Sequence, residues 1–418
     1  MDPSEREEVK RARNILNRLL RESRGDRDSL APEPDPEPDP EPVREPVREP
    51  LPTRTPEWGH DYIYTGNKTE FYQKWQQHAL TWPTVPFKVG VHGDLGHIQL
   101  GSKYAPVKDS INIQFYGMDE NAAVGPIQHG SDFPVTAVGL TNITLIGNKD
   151  SFAWRQAARI GKITFDNVRF RPHPELPLDH IYTSGLHFHK GFDSFRFINY
   201  RWSGEAFREH TLYIKGGGEI LVENCEMKGG NRSFIQYRPH GAGTDPYAFG
   251  ATPEPSGPVV IRNNFSTRFG HNHVYPSGGA VITIWCTLEN TVLIERNKIE
   301  ESRYGAIMVG RGATNTNPPL TSDGFSHSHV LLKDNELSCN GDRHCVSISD
   351  TRLLEFVGQN KFYSQYRADL VINAQFSSQQ GAQSVSKVLG LPLVDFTSGL
   401  TYVEGSGYVP LKEKFPLR

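Results

Sequence analysis

Side chains able to do chemistry gather in a few short stretches. In GLHFHK, His187 and His189 alternate with Leu186 and Phe188; in TLYIKG, Tyr213 and Lys215 alternate with Leu212 and Ile214. Alternation with a period of two puts residues i and i+2 on one face of a strand. If the apolar set points inward, His187, His189, Tyr213 and Lys215 share an outer face, which Arg238 and Trp285 extend. Aromatic rings cover the apolar faces of sugar rings and cations pair with acids, so this surface suits a sugar chain carrying carboxylates. The alternative is an ordinary solvated sheet face.

Polar and aromatic groups also crowd three insertions. PHGAGTDPYAFGATPEPSG carries His240, Asp245 and Tyr247; STRFGHNHVYPSGG carries His271; RGATNTNPPLTSDGFSHSHV carries Arg311 and Asp323. Two schemes of bond cleavage fit these residues. A glycosidase needs two carboxyl groups flanking the scissile bond, for which Asp245 and Asp323 are the first candidates, with Asp342, Asp350 and Glu205 behind them. A lyase needs a base for the proton beside a uronate carboxylate and a cation to hold that carboxylate, for which His189 and Tyr213 are candidates. His187, Lys215, Arg238, His240, Tyr247, His271, Trp285 and Arg311 are then substrate-binding candidates. The pairs His187/His189, His271/His273 and His327/His329 have the i, i+2 spacing of metal chelators. No third ligand follows from the sequence, so neither a metal nor another cofactor is assigned.

A repeat must position these residues. KITFDNVRF, FRFINYRW, EILVENCEM, VVIRNNFS, VLIERNKI, VLLKDNEL and EFVGQNKF alternate along the chain with GLHFH, TLYIKG, SFIQYR, AVITIW, GAIMVG, CVSIS and DLVIN. Leu186 to Leu212, Ile282 to Ile307 and Ile348 to Ile372 are each about 25 residues apart, a spacing typical of solenoid repeats. One such coil cannot bury its inward row alone, so coils must stack. Asn recurs near one corner, at 224, 263 or 264, 297, 335 and 360, where stacked amides can bond to backbone and to each other. The expected fold is all-β, a β-solenoid over residues 140–377. A capping region precedes it over 57–139, with a helix near 67–80 whose Asn67 and Glu70 form a capping pair. A cap or tail follows over 378–418.

Units such as VLIERNKI and VVIRNNFS resemble the right-handed, single-stranded parallel β-helix of the pectate-lyase type, over about residues 135–377. The resemblance implies that fold and leaves the activity open, because lyases, hydrolases, esterases and adhesion proteins share it. The sequence lacks the D-D and G-H-G patterns of plant-type polygalacturonases.

The remaining sequence narrows the setting. Net charge is −3, which gives no sign of nucleic-acid binding. No stretch reaches the roughly 20 apolar residues of a membrane span, and the N-terminus has no apolar signal core. Residues 1–28 contain a predicted docking or oligomerisation helix, with Val9, Ala12, Leu16 and Leu19 as its apolar stripe. Residues 29–56 hold PEPDPEPDPEPVREPVREP, an extended spacer able to span roughly 80 Å. A short helix, a stiff spacer and a polysaccharide-type β-helix together resemble a bacteriophage tail spike or related virion appendage. That resemblance implies assembly in the host cytoplasm, a homotrimer, and attachment to other tail proteins through residues 1–28. Residues 385–418 are short for a trimerisation segment. The alternatives are a non-enzymatic virion rod or decoration protein, and a bacterial β-helix lyase or hydrolase. Cys225 and Cys286 read as buried thiols, whereas Cys339 and Cys345 in CNGDRHC could close a disulfide loop.

Overall fold

The inward-facing rows of apolar residues dictate the architecture. In the computed structural model Val89, Phe115, Leu140, Phe165, Phe197, Val222, Ile261, Ile294, Leu332 and Phe356 are cross-strand neighbours in one continuous column. All are buried. The structure describes residues 61–100, 111–129, 135–147, 152–155, 159–171, 173, 184–188, 191–203, 210–215, 218–230, 232–238, 257–270, 280–284, 291–309, 329–341, 343–348, 354–365, 370–373 and 408–410. The predicted N-terminal helix and spacer within residues 1–56, and most of 378–418, lie outside these.

The chain winds as a parallel β-helix. Each coil passes from sheet I to sheet II to sheet III and then returns to sheet I one level on. Sheets I and III have 11 strands each, and sheet II comprises a 3-stranded and a 6-stranded stretch. The described pairings are parallel except the last, where Tyr408–Pro410 runs antiparallel to Leu370–Asn373. The three spacings read from the sequence are coil steps: Leu186 pairs with Leu212, Ile282 with Ile307 and Ile348 with Ile372. Stacking begins at Tyr62–Tyr64, which pairs in parallel with Phe87–Val91, well before residue 140, where the repeat becomes legible in the sequence.

Helix α1 (Lys68–Thr81) closes the first coils. The Asn67 side chain accepts a hydrogen bond from the Glu70 backbone N–H at 3.1 Å, which caps the helix. Phe71 and Trp75 are buried, and the Phe71 ring lies against Tyr64, Phe87 and Phe115. An exposed end of the interior is thereby covered by aromatic surface rather than left to water.

The corner between sheets I and II holds two columns of residues. The outer column is Asn142, Asn167, Asn199, Asn224, Asn263, Arg296 and Asp334, all left-handed with φ between 50° and 56°. Asn tolerates this backbone region better than most residues. At the next level Gly358 has φ 69°, and a Cβ there would sit 1.9 Å from Asp334 Oδ1, so any larger residue would have to displace that carboxylate. The inner column starts apolar, with Ile143, Val168, Tyr200 and Cys225, and continues as Asn264, Asn297, Asn335 and Asn360. Asn224 therefore belongs to the outer column, and Cys225 takes the inner place at its level.

The inner asparagines form a hydrogen-bonded ladder. Asn264 Nδ2 donates to Asn297 Oδ1 at 2.9 Å, and Asn297 and Asn335 repeat the contact to Asn335 and Asn360 at 3.1 Å each. The remaining Nδ2 hydrogens go to backbone carbonyls of Val222, Ile261, Ile294 and Leu332. Each Oδ1 also accepts a backbone N–H from the previous level. All four hydrogen-bonding positions of the Asn297 amide are thus filled.

Replacing Asn297 by Leu leaves the Asn264 N–H and the Ile261 carbonyl orphaned in the interior. At about 1–3 kcal/mol per buried unpaired group, a loss of roughly 2–5 kcal/mol is expected in urea unfolding. Ile294→Asp places an unpaired carboxylate in the interior column and should prevent folding. Arg196→Asp, at an exposed position on the outside of sheet I, should leave the circular dichroism melt nearly unchanged; a soluble, folded Ile294→Asp protein would show the inward register to be wrong.

Candidate functional site

The outer face of sheet III is built from the residues between its inward ones. Leu186, Leu212, Ile235 and Ile282 are buried inward neighbours. The alternate positions form a second row: Gln99, Gln128, Arg155, His187, Tyr213, Gln236, Thr283, Met308 and Ser347. The register sets His187 beside Tyr213, and Lys215 beside Arg238. Four of the sequence-derived candidates are thereby neighbours on three consecutive strands.

Tyr213 is half-buried, and its ring lies 5.2 Å from that of buried His210. His189, His240, Asp245, Tyr247, His271, Trp285, Arg311 and Asp323 lie outside the described residues.

Residues not singled out in the sequence also belong to this face. Gln236 and Thr283 occupy the middle of FIQY and VITI, by the same alternation that marks Tyr213. Both are buried, as are Ser233 and Ser347. Ser233 Oγ and Thr283 Oγ1 are 3.3 Å apart, and Thr283 Oγ1 donates to the Ala280 carbonyl at 3.0 Å. Beyond Tyr213 the face is therefore neutral, closed at Gln236, Thr283 and Ser347 and half-buried at the apolar Met308 between them. Around Tyr213 it is partly open, and the residues in register there are basic and aromatic.

Sheet II presents a different outer surface. Along one row Arg201, Glu226, Phe265, Lys298, Glu336 and Lys361 are neighbours. Lys298 pairs with Glu300 at 2.7 Å, Lys228 with Glu226 at 3.1 Å, and Lys298 Nζ lies 5.9 Å from the Phe265 ring centroid. Exposed alternating charges of this kind contribute solubility more than stability.

Cysteine chemistry has little foothold among the described residues. Cys225, Cys339 and Cys345 are buried free thiols, so the loop CNGDRHC is not closed by a disulfide. Burial pushes the Cys225 thiol up to about 12, which keeps it protonated and unreactive. Among the described residues no three His, Cys, Asp or Glu side chains gather as metal ligands. No described helix is long and apolar enough to cross a membrane. One His–carboxylate pair stands at the first corner, where His92 Nδ1 lies 3.0 Å from Asp119 Oδ2. The backbone N–H groups of Asn121 and Gly93 also donate to Asp119.

Comparison with known proteins adds no relative: no family model, no curated protein and no solved structure matches the chain.

The Asp119 pair predicts a pH dependence. The hydrogen bond from His92, followed by those from Asn121 and Gly93, holds the Asp119 carboxyl below the usual carboxylate range. Its contribution to stability is present above that range and is lost as pH falls through the lower folded value. His92→Ala should move the Asp119 titration upward in carboxyl-carbon NMR and flatten the acid limb of the stability curve. An unmoved titration would assign the effect to the backbone donors alone.

Proposed function

We propose that the outer face of sheet III around Tyr213 binds a cell-surface polysaccharide. The observation that carries this reading is the register: His187 lies beside Tyr213, and Lys215 lies beside Arg238. A row of aromatic and basic groups on a parallel sheet matches the needs of sugar recognition, in which rings stack and hydroxyls and acids receive hydrogen bonds. The resemblance of the repeat units to pectate-lyase-type β-helices supports it. The predicted helix and Pro-rich spacer ahead of the body support a tail-spike-like appendage that holds its binding face away from a particle. Three copies would then bind a repetitive glycan with avidity, and residues 1–28 would dock to other tail proteins. In that setting Asp245 and Asp323 are the candidates for hydrolysis, and His189 and Tyr213 for proton abstraction.

A second reading is a rigid structural rod without enzymatic activity. The charge-laced exterior of sheet II and the amide ladder favour it, since both serve a stiff soluble shaft.

Incubating the full chain with bacterial surface polysaccharides, while following reducing ends and ultraviolet absorbance, separates these readings. New reducing ends with rising absorbance mean a lyase, and reducing ends alone mean a hydrolase. Binding without product means an adhesin, whereas neither binding nor product with any glycan favours the rod. Tyr213→Ala and Arg238→Ala should each weaken glycan binding at least 10-fold with unchanged circular dichroism. Unaltered affinity in both would remove the site from this face.

A further inference from the structure

One titratable side chain is buried where the N-terminal cap meets the first coil. His78, in the last turn of helix α1, is 5 % exposed. Its ring lies against those of Trp82 and Phe87, at centroid distances of 5.3 Å and 5.0 Å. Both ring nitrogens face oxygen. Nε2 lies 3.0 Å from the Val85 carbonyl, and Nδ1 lies 4.0 Å from Asp61 Oδ2. Asp61 immediately precedes the first strand, Tyr62–Tyr64, and the same carboxylate oxygen accepts the Lys88 backbone N–H at 2.7 Å. His78 therefore ties the helix both to the start of the first strand and to the connection that leads into the second, Phe87–Val91.

These partners set the protonation chemistry of the ring. A carbonyl oxygen can only accept, so Nε2 must carry a hydrogen. In the neutral ring Nδ1 would then turn a lone pair toward the Asp61 carboxylate. In the imidazolium both nitrogens donate, and the second N–H faces that carboxylate. Position favours the same form, because a cation in the last turn meets the negative end of the helix dipole. The two aromatic rings attract a positive group as well. Burial opposes the charge, and the carboxylate beside it offsets that cost. The other titratable groups of the packed elements stand apart from this pair. On the helix, Lys74 is exposed one turn away, Glu70 lies two turns away, and Lys68 and Tyr72 belong to the first turns. On the strands, Lys88 meets Asp61 through its backbone N–H. Burial pushes the Tyr62 and Tyr64 hydroxyls above their ordinary value, so both stay uncharged. Among the described residues Asp61 is thus the acid that faces the ring.

We infer that His78 is held as an imidazolium and that its pairing with Asp61 is a proton-operated latch on the cap helix. The latch matters because the same helix lays Phe71 and Trp75 over the end of the interior. The charged ring stabilises the docked helix below the ordinary imidazole range. That contribution is lost as pH rises through the value His78 has in the folded chain. Above it the Nδ1 lone pair faces the carboxylate, and helix α1 opens more often. The coils beyond keep their own backbone ladders, so the opening is local. The helix is suited to this, because side chains dock it: Phe71, Trp75 and Lys68, whose Nζ donates to the His97 carbonyl.

Hydrogen exchange of the full chain between about pH 5.5 and 8.5, the range in which imidazoles titrate, tests this. After correction for the intrinsic pH dependence of exchange, protection of the backbone amides in residues 72–82 should fall at least 10-fold as pH rises. Protection in the strand Thr291–Glu295 should stay constant. His78→Gln keeps a donor for the Val85 carbonyl but carries no charge, and should make the helix protection independent of pH. Asp61→Asn should lower that protection at the acid end and flatten the profile. Nitrogen NMR of the imidazoles, with the His78 signal assigned by its loss in His78→Gln, should show both ring nitrogens protonated below the transition. Where a variant fails to fold, the parent chain alone decides, since one imidazole must titrate together with the helix protection. A pH-independent profile in the parent, a profile that persists in His78→Gln, or a neutral His78 throughout the range would overturn the latch.

Discussion

From Asn142 onward the coils depend on one backbone constraint, a left-handed residue at the corner between sheets I and II. A parallel coil closes only if the chain turns sharply without breaking the alternation that keeps apolar side chains inside. A single residue with positive φ does this in one step, and it recurs in the same place from Asn142 to Gly358. From Asn142 to Asp334 the residue that follows the turn is buried, and at the last level, where Gln359 is inserted, the inner place falls to Asn360 two residues after Gly358. That regularity lets Asn264, Asn297, Asn335 and Asn360 stack within hydrogen-bonding distance. Inter-coil register, the interior columns and the outer faces follow from it.

The sequence reveals most of this where the repeat is regular. The coil step, the inward apolar rows and the capped helix α1 are all legible, because alternation and the Asn67 signal are local properties. The first coils are harder to read, since residues 101–110 interrupt the rhythm and the corners there lack an Asn pair. The two asparagine columns merge in the sequence because Asn263 and Asn264 are adjacent, and only φ and burial separate them. The outer face of sheet III is half legible. His187, Tyr213, Lys215 and Arg238 stand out by residue type, whereas Gln236, Thr283 and Ser347 are found only by counting register. On the outside of sheet I the aliphatic row Val260, Leu293 and Leu331 is invisible as such, because VVIR, TVLIE and HVLLK read as uniformly apolar strands with no sign of which side each residue takes.

The three exteriors therefore carry different chemistry on one scaffold. Sheet II is charged and solvated. Sheet III sets His187, Tyr213, Lys215 and Arg238 in register and continues as a neutral, mostly buried row. Sheet I is polar in its early levels and aliphatic where long connections enter. A β-helix can vary its outside this freely because its backbone ladders and interior columns hold the coils together, and a substitution on one outer face leaves the inward rows untouched.

The inner column also divides the rod by the kind of force that joins its levels. Around Phe165, Phe195, Phe197 and Tyr200 packed rings join the levels, and from Asn264 onward an oriented chain of amides is added to the aliphatic columns. Apolar association weakens on cooling, whereas hydrogen bonding does not share that temperature dependence. The amide levels also carry the apolar columns through Ile261, Ile294 and Leu332, so the ladder adds a cohesion that does not weaken on cooling to one that does.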